Sequence, residues 1–305
     1  MTTPRARADS AETDTPARSR IVALASCIRY GDVLVLQGSP LMGVAFSIGT
    51  LTVPKLEALA VFALASFLLV AHIWTFNDWS GLASDRNDPN KSAEVFERRG
   101  VASRDILLFS VALLAGSLLL FSLLSSRSLL LAAAIAAMGV FYSHPGINAK
   151  GIPVLSSSPH LIGGLLHFLL GYSLFGGIDR RGVLIGLFFA LTFTAGHLNQ
   201  EVRDYEGDRL NRLTTNAVAF GRTAAFLAGL LIFTLAYADL FFLAYTGIVP
   251  IALVALPVVL YPIHVFWCLT TLRGGLTYER VSRFQGRYRL LYAVIGLSMV
   301  ATLLM

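Results

Sequence analysis

The chain has 305 residues, 24 Lys and Arg against 18 Asp and Glu, a formal charge of +6, and is 55% hydrophobic but only 14% charged. A mean hydropathy of +0.69 excludes a water-soluble domain of ordinary surface and makes the bilayer the default solvent. The basic excess does not call for nucleic acid, because cations flanking membrane helices meet anionic lipid and set topology, so no nucleic-acid partner is expected.

Residues 1–25, rich in Ala, Thr, Arg and Pro, read as a mobile cytoplasmic lead. They do not read as a signal peptide, since the apolar part begins late and runs into a full-length span. Residues 26–305 read as one transmembrane domain. Apolar runs follow at 32–49, 58–76, 105–124, 128–143, 160–177, 182–198, 223–242, 246–268 and 289–305. Each approaches the roughly 17–25 residues that a helix needs to cross about 30 Å of hydrocarbon. The expectation is therefore an all-α polytopic membrane protein with nine transmembrane helices. Pro40, Gly43, Gly163, Gly164 and Pro257 do not veto these helices, because small residues permit close packing and neighbours satisfy the carbonyls that proline frees.

Charge gives the orientation. Stretches 1–31, 77–104, 144–159, 199–222 and 269–289 hold 20 of the 24 Lys and Arg, leaving Lys55, Arg127, Arg180 and Arg181 for the other face. That bias predicts an integral plasma-membrane protein with its N-terminus cytoplasmic. Arg283, Arg287 and Arg289 read as a cytoplasmic anchor, or alternatively as an entrance for an acidic substrate. Cys27 and Cys268 have neither metal-site spacing nor an extracytoplasmic location, so no disulfide is expected.

Two Asn-headed acidic segments interrupt the apolar pattern, at 77–85 and 199–208, both on the predicted cytoplasmic side. Asp78 and Asp85 are seven residues apart, which on a continuous helix puts them on one face about 10 Å apart. If Gly81 ended the helix they would instead line a turn. Glu201, Asp204 and Asp208 stand at i, i+3 and i+7, again one helical face. Like charges so placed repel by roughly 0.2–0.5 kcal/mol per exposed pair, and a divalent cation reverses that penalty. Hard oxygen donors favour Mg²⁺, which keeps positions for water and substrate phosphate. Together the segments have the means to bridge ions through a diphosphate, with Asn77 adding a neutral group. The plain alternative is that they are ordinary loop charges.

Basic groups lie near both segments. Arg86, Lys91, Arg98 and Arg99 follow the first, Arg203, Arg209 and Arg212 lie in or after the second, and all suit diphosphate oxygens as well as topology. Lys150 stands apart as the only basic residue of a Pro/Gly/Ser-rich loop after Tyr142 and Ser143. That tyrosine and serine fit either a headgroup belt or a cover over a reacting carbon. His197, near the cytoplasmic end of its span, reads first as a hydrogen-bonded helix-end histidine, and His72 in the span before Asn77 reads likewise; His197 has the alternative of orienting a ligand or accepting a proton.

These motifs resemble the UbiA superfamily of intramembrane prenyltransferases. Asn77, Asp78 and Asp85 match that family's N-D-x-x-D-x-x-x-D, and Asp204 and Asp208 match its D-x-x-x-D. Tyr142, Ser143 and Lys150 fall where the family has a cytoplasmic substrate loop. Glu206-Gly207-Asp208-Arg209 followed by Ala219-Phe220-Gly221 looks like the chlorophyll-synthase side. Gly81 departs from the pattern at the middle acidic position, where Asp88 is a candidate displaced carboxylate.

The resemblance implies helices around a central cavity with cytoplasmic helical caps, and Mg²⁺-dependent transfer of a prenyl group from a prenyl diphosphate to an aromatic or other lipophilic acceptor drawn from membrane lipid. It implies Mg²⁺ on Asp78, Asp85, Asp204 and Asp208, aided by Asn77, and Tyr142 shielding an allylic cation. Lys150, Arg86, Arg203, Arg209, Ser143 and Asn199 would bind the diphosphate. A terpene cyclase is the alternative, and a noncatalytic lipid-binding protein or transporter a third reading. Acceptor, tail length and oligomeric state stay open.

Overall fold

The computed structural model describes residues 17–303, and among these every regular element is helical. In chain order the α-helices are α1 (Ala17–Ser26), α2 (Tyr30–Leu36), α3 (Gly38–Ser47), α4 (Val53–Asn87), α5 (Ser103–Leu124), α6 (Ser126–Ser143), α7 (Ser158–Tyr172), α8 (Arg180–Arg203), α9 (Tyr205–Leu210), α10 (Asn216–Phe220), α11 (Arg222–Tyr245), α12 (Ala255–Arg273) and α13 (Tyr278–Leu303). Of the expected lead 1–25, residues 1–16 lie outside the described residues and 17–25 belong to α1.

The nine expected spans are corrected. Six helices among the described residues are long and apolar enough to cross a membrane: α4, α5, α6, α8, α11 and Ile251–Arg273, which is α12 with its preceding 3₁₀ turn. A seventh is counted if Arg20–Ser26 and Tyr30–Ser47, bent by 54° where they meet, form one broken span. Two apolar runs fall short for different reasons. Helix α7 has 15 residues, about 22 Å at 1.5 Å each. Helix α13 is long, but its first half carries Glu279, Arg280, Arg283, Arg287 and Arg289. An apolar run thus registers burial against protein as readily as burial in lipid.

Local chemistry explains where the helices begin. Ser125 caps α6 by accepting from the Ser128 amide at 3.0 Å. Asp179 caps α8 by accepting from the Gly182 amide at 2.7 Å, and the Tyr172 hydroxyl donates to the same carboxylate oxygen at 3.1 Å. Pro54 stands at the start of α4, where its missing N–H leaves no helix bond unmade.

Helix α4 packs along α5, α8 along α7 and α11, and α3 against α7. The α3–α7 crossing depends on two glycines. A Cβ on Gly171 would stand 1.8 Å from the Pro40 carbonyl oxygen, and one on Gly43 would stand 2.2 Å from that of Phe168. Around this crossing Phe46, Phe168, Phe188, Ile185, Leu240 and Met299 form a core, while Leu123, Leu130, Leu231, Val258 and Leu297 are exposed, as a lipid-facing surface requires. Cys27 and Cys268 are both free and buried.

Candidate functional site

The site forms where α4 and α8 end on the same side of the bundle. Helix α4 continues unbroken through Gly81 to Asn87, so Asp78 and Asp85 share one helical face and the turn alternative falls. Helix α8 stops at Arg203, and Asp204 is the hinge from which α9 starts again. The expected common face of Glu201, Asp204 and Asp208 is therefore corrected. Glu201 points into the protein, where its Oε1 accepts from Ser156 Oγ at 2.9 Å and Asn216 Nδ2 at 3.1 Å.

The two acidic segments meet. Asn211, just past α9, donates from Nδ2 to the Ser84 and Gly207 carbonyls at 2.9 Å each, and its Oδ1 accepts from Asn87 Nδ2 at 3.2 Å. Gly207 makes the approach possible, since a Cβ there would stand 2.2 Å from Asp88 Oδ2. Lys91 then spans the junction, with Nζ 2.9 Å from Asp204 Oδ2 and 3.8 Å from Asp88 Oδ2.

Electrostatics separates the two carboxylates of the second segment. Burial opposes ionisation of Asp204, but the hydrogen bonds from Arg203 and the Lys91 charge outweigh it and hold this carboxyl below its ordinary range. Asp208 has a Thr215 hydroxyl at 3.2 Å. Burial, reinforced by the neighbouring Asp204 charge, pushes its pKa up to about 7. Burial lowers the Lys150 pKa, with Asp85 pulling the other way.

Other expected residues fall into place unevenly. Asp78 is held by Arg29 through Nε at 3.1 Å and Nη2 at 2.5 Å. Asn77 Oδ1 accepts from Ser143 Oγ at 3.1 Å, tying the end of α6 to the first motif. Tyr142 stands edge-on to His160, ring centroids 4.9 Å apart. A Cβ built on Gly81 would stand 3.5 Å from Asp85 Oδ2 and 3.6 Å from Lys150 Nζ. Lys150 thus reaches the space that a middle carboxylate would fill. Arg203 bonds Asp204 through Nε at 2.6 Å and donates to Gln285 Oε1 at 3.2 Å.

Three expected substrate-binding residues are not brought to this mouth. Arg86 is exposed and paired with Glu97. Arg209 faces solvent. Asn199 is buried between helices, its Nδ2 donating to the Ala195 carbonyl at 2.9 Å and lying against Gly229 of α11.

Conversely, Arg29, Asp32 and Arg289 were not singled out as partners of the motifs. Arg29 and Asp78 line a cleft of about 500 Å³ with Asp32, Glu94, Arg99 and Arg289, and Arg289 stands 3.6 Å from Asp32. Arg29 is 49 residues from its partner, and no local sequence pattern pairs the two. A smaller cleft of about 260 Å³, lined by Arg280, Arg283 and Arg287, shares no residue with the acidic motifs.

The donor set suits a hard divalent ion that keeps other ligands. Among the described residues no three His, Cys, Asp or Glu side chains converge tightly enough to cage an ion, so each ion would take a few carboxylates and fill its remaining positions from water and substrate, the usual Mg²⁺ arrangement. The Lys91 ammonium already occupies a cation position between the segments.

A polytopic helical bundle with two facing acidic motifs at one end defines an intramembrane enzyme of the prenyl-transferring kind. The chain matches the UbiA prenyltransferase family over residues 39–284, and it belongs to that family. It is 28% identical over 208 residues to the digeranylgeranylglyceryl phosphate synthase of Natronomonas pharaonis, a match covering 66% of this chain and 70% of the relative. Its fold is similar to a UbiA homolog from Archaeoglobus fulgidus bound to DMAPP and Mg²⁺, with TM-score 0.67, 19% identity and coverage of 92% of this chain and 99% of that one. It is also similar to the apo UbiA homolog of Aeropyrum pernix K1, with TM-score 0.69, 17% identity and coverage of 88% and 96%. These matches support the superfamily and do not single out its chlorophyll-synthase side.

Proposed function

We propose that the chain transfers a prenyl group from a prenyl diphosphate to an aromatic or other lipophilic acceptor, with Mg²⁺ held by Asp78, Asp85, Asp204 and Asp208. The observation that carries this reading is Lys91, whose ammonium lies within ion-pair distance of Asp204 from the second segment and Asp88 beside the first. One diphosphate is thereby within reach of both segments. The Archaeoglobus homolog bound to DMAPP and Mg²⁺ supports the same donor class and ion.

Mg²⁺, when bound, neutralises the charge that grows on the departing diphosphate. Lys150 and Lys91 donate to diphosphate oxygens as mobile point charges. Asn77, fixed by Ser143, orients the first motif. Tyr142 presents its ring beside the allylic carbon, where a π face stabilises positive charge. The apolar bundle excludes water that would divert the cation to an alcohol. The site opens to the cytoplasm in the plasma membrane, on the side where basic residues concentrate.

Purified protein in lipid vesicles, offered dimethylallyl, geranyl and geranylgeranyl diphosphates with a phenol, a dihydroxynaphthoate, a chlorin carboxylic acid and a geranylgeranylglyceryl phosphate, should release pyrophosphate only with Mg²⁺ and an acceptor. Mass spectrometry identifies the conjugate. Asp78→Ala and Asp208→Ala should each lower turnover at least about 100-fold, the size expected for loss of electrostatic stabilisation. Full activity in both variants rejects the assignment, and a cyclic hydrocarbon from donor alone replaces transfer by cyclisation.

A further inference from the structure

Behind Tyr142 lies a cluster that the metal motifs do not use. The imidazoles of His160 on α7 and His197 on α8 stack face to face, centroids 3.6 Å apart and planes 11° from parallel. The two members differ in access. His197 and Glu201 are buried, at 3% and 5% exposure, whereas His160 and Tyr142 are only partly covered. The groups facing the His160 ring are Tyr142 from α6 and Phe193 and His197 from α8, with Glu201 behind His197.

Hydrogen bonding fixes the tautomer. His160 Nδ1 is 3.0 Å from the Ser156 carbonyl oxygen, which only accepts, so Nδ1 carries a proton and Nε2 of the neutral ring keeps its lone pair. The inner ring lies beside a carboxylate. His197 Nε2 lies 3.1 Å from Glu201 Oε1, and the same oxygen takes hydrogen bonds from Ser156 and Asn216. A proton arriving on His160 would place positive charge on the face of the His197 imidazole, which opposes it, with the Glu201 carboxylate beyond that ring to offset it.

We infer that His160 is the general base of the reaction, with His197 and Glu201 as positioning residues behind it. The inference rests on the transfer reading above. As the allylic C–O bond breaks, its electron pair leaves with the diphosphate. The acceptor's nucleophilic oxygen or ring carbon forms the new bond to that allylic carbon, and the hydrogen it held moves as a proton to His160 Nε2. Tyr142 connects the two halves of the site: its ring lies edge-on to His160, and its neighbour Ser143 holds Asn77 of the first acidic motif.

The test uses the intact protein in vesicles with the donor and acceptor that turn over best in the panel above. His160→Gln should lower kcat about 100-fold or more, the range for a lost general base, while donor KM changes less than about 3-fold, since proton removal follows donor binding. The wild type should show an acid limb in kcat that the variant lacks, and added imidazole should restore part of the variant's rate. Glu201→Gln should shift that limb without abolishing it. A His160→Gln protein with wild-type kcat and acid limb overturns the inference, as does a loss confined to KM. If His160→Gln does not fold, the wild-type profile decides. Burial, with the His197 charge added, moves the His160 titration to the acid side of the ordinary histidine range, so an acid limb there that moves in Glu201→Gln supports the base, and a kcat that stays flat down to the pH at which the protein unfolds overturns it. A wild type that transfers to no acceptor overturns the transfer reading and this inference with it.

Discussion

Asp208 shows how placement sets a single residue's chemistry. Burial, with an ionised neighbour beside it, pushes its carboxyl up to about 7, so at pH 6 about a tenth of it is ionised. A metal ion competes with that proton. The sign is therefore that Mg²⁺ binds more weakly as pH falls, and the Mg²⁺ concentration for half-maximal pyrophosphate release should rise up to about tenfold between pH 8 and pH 6. Asp208→Asn should remove this dependence together with most of the activity. Gly81 makes a second case. Its missing side chain leaves the space that Lys150 Nζ and Asp85 border, so a carboxylate there would pair with the ammonium. Gly81→Asp and Lys150→Ala should be non-additive in donor affinity, with a coupling energy of about 0.5–3 kcal/mol in a double-mutant cycle. Additive effects would disconnect the two positions.

At the scale of elements, glycines decide how closely helices approach. Gly171→Ala puts a methyl 1.8 Å from the Pro40 carbonyl oxygen and should cost about 1–3 kcal/mol by forcing α3 and α7 apart. Gly163→Ala on the same helix meets nothing within 4 Å and should stabilise by about 0.5–1 kcal/mol through helix propensity alone. Thermal unfolding of the two variants in detergent checks the contrast. Sequence alone does not separate these glycines, because helix propensity is local and the partner backbone is about 130 residues away. The same limit explains the span count. The run at 160–177 is apolar because α7 is pressed among α3, α6 and α8, and its 15 residues never had to match bilayer thickness. The hinge at Asp204 was equally hidden, since i, i+3, i+7 spacing describes the second motif as if α8 continued through it.

Over the whole molecule, what the sequence made legible was chemistry carried by charge pattern. Two acidic segments more than a hundred residues apart were expected at one mouth, and Lys91, Asn211 and Gly207 join them there. What it could not supply was which neighbouring base faces inward. Arg86 and Arg209 read like Lys91 and Arg203, yet Arg86 is taken by Glu97 and Arg209 by solvent. His160 carried no motif at all, and only the stacking of α7 on α8 gives it a role.

The lysine between the acidic segments has a further effect on the resting protein. Because Lys91 sits against Asp204 and Asp88, the mouth carries a built-in counter-ion, and its architecture does not lean on a captured one as a zinc finger's does. EDTA should therefore stop turnover while leaving the melting temperature in detergent where it was, and restoring Mg²⁺ should recover the rate at once. A chelator would act on this protein as a brake, with the machine behind it still assembled.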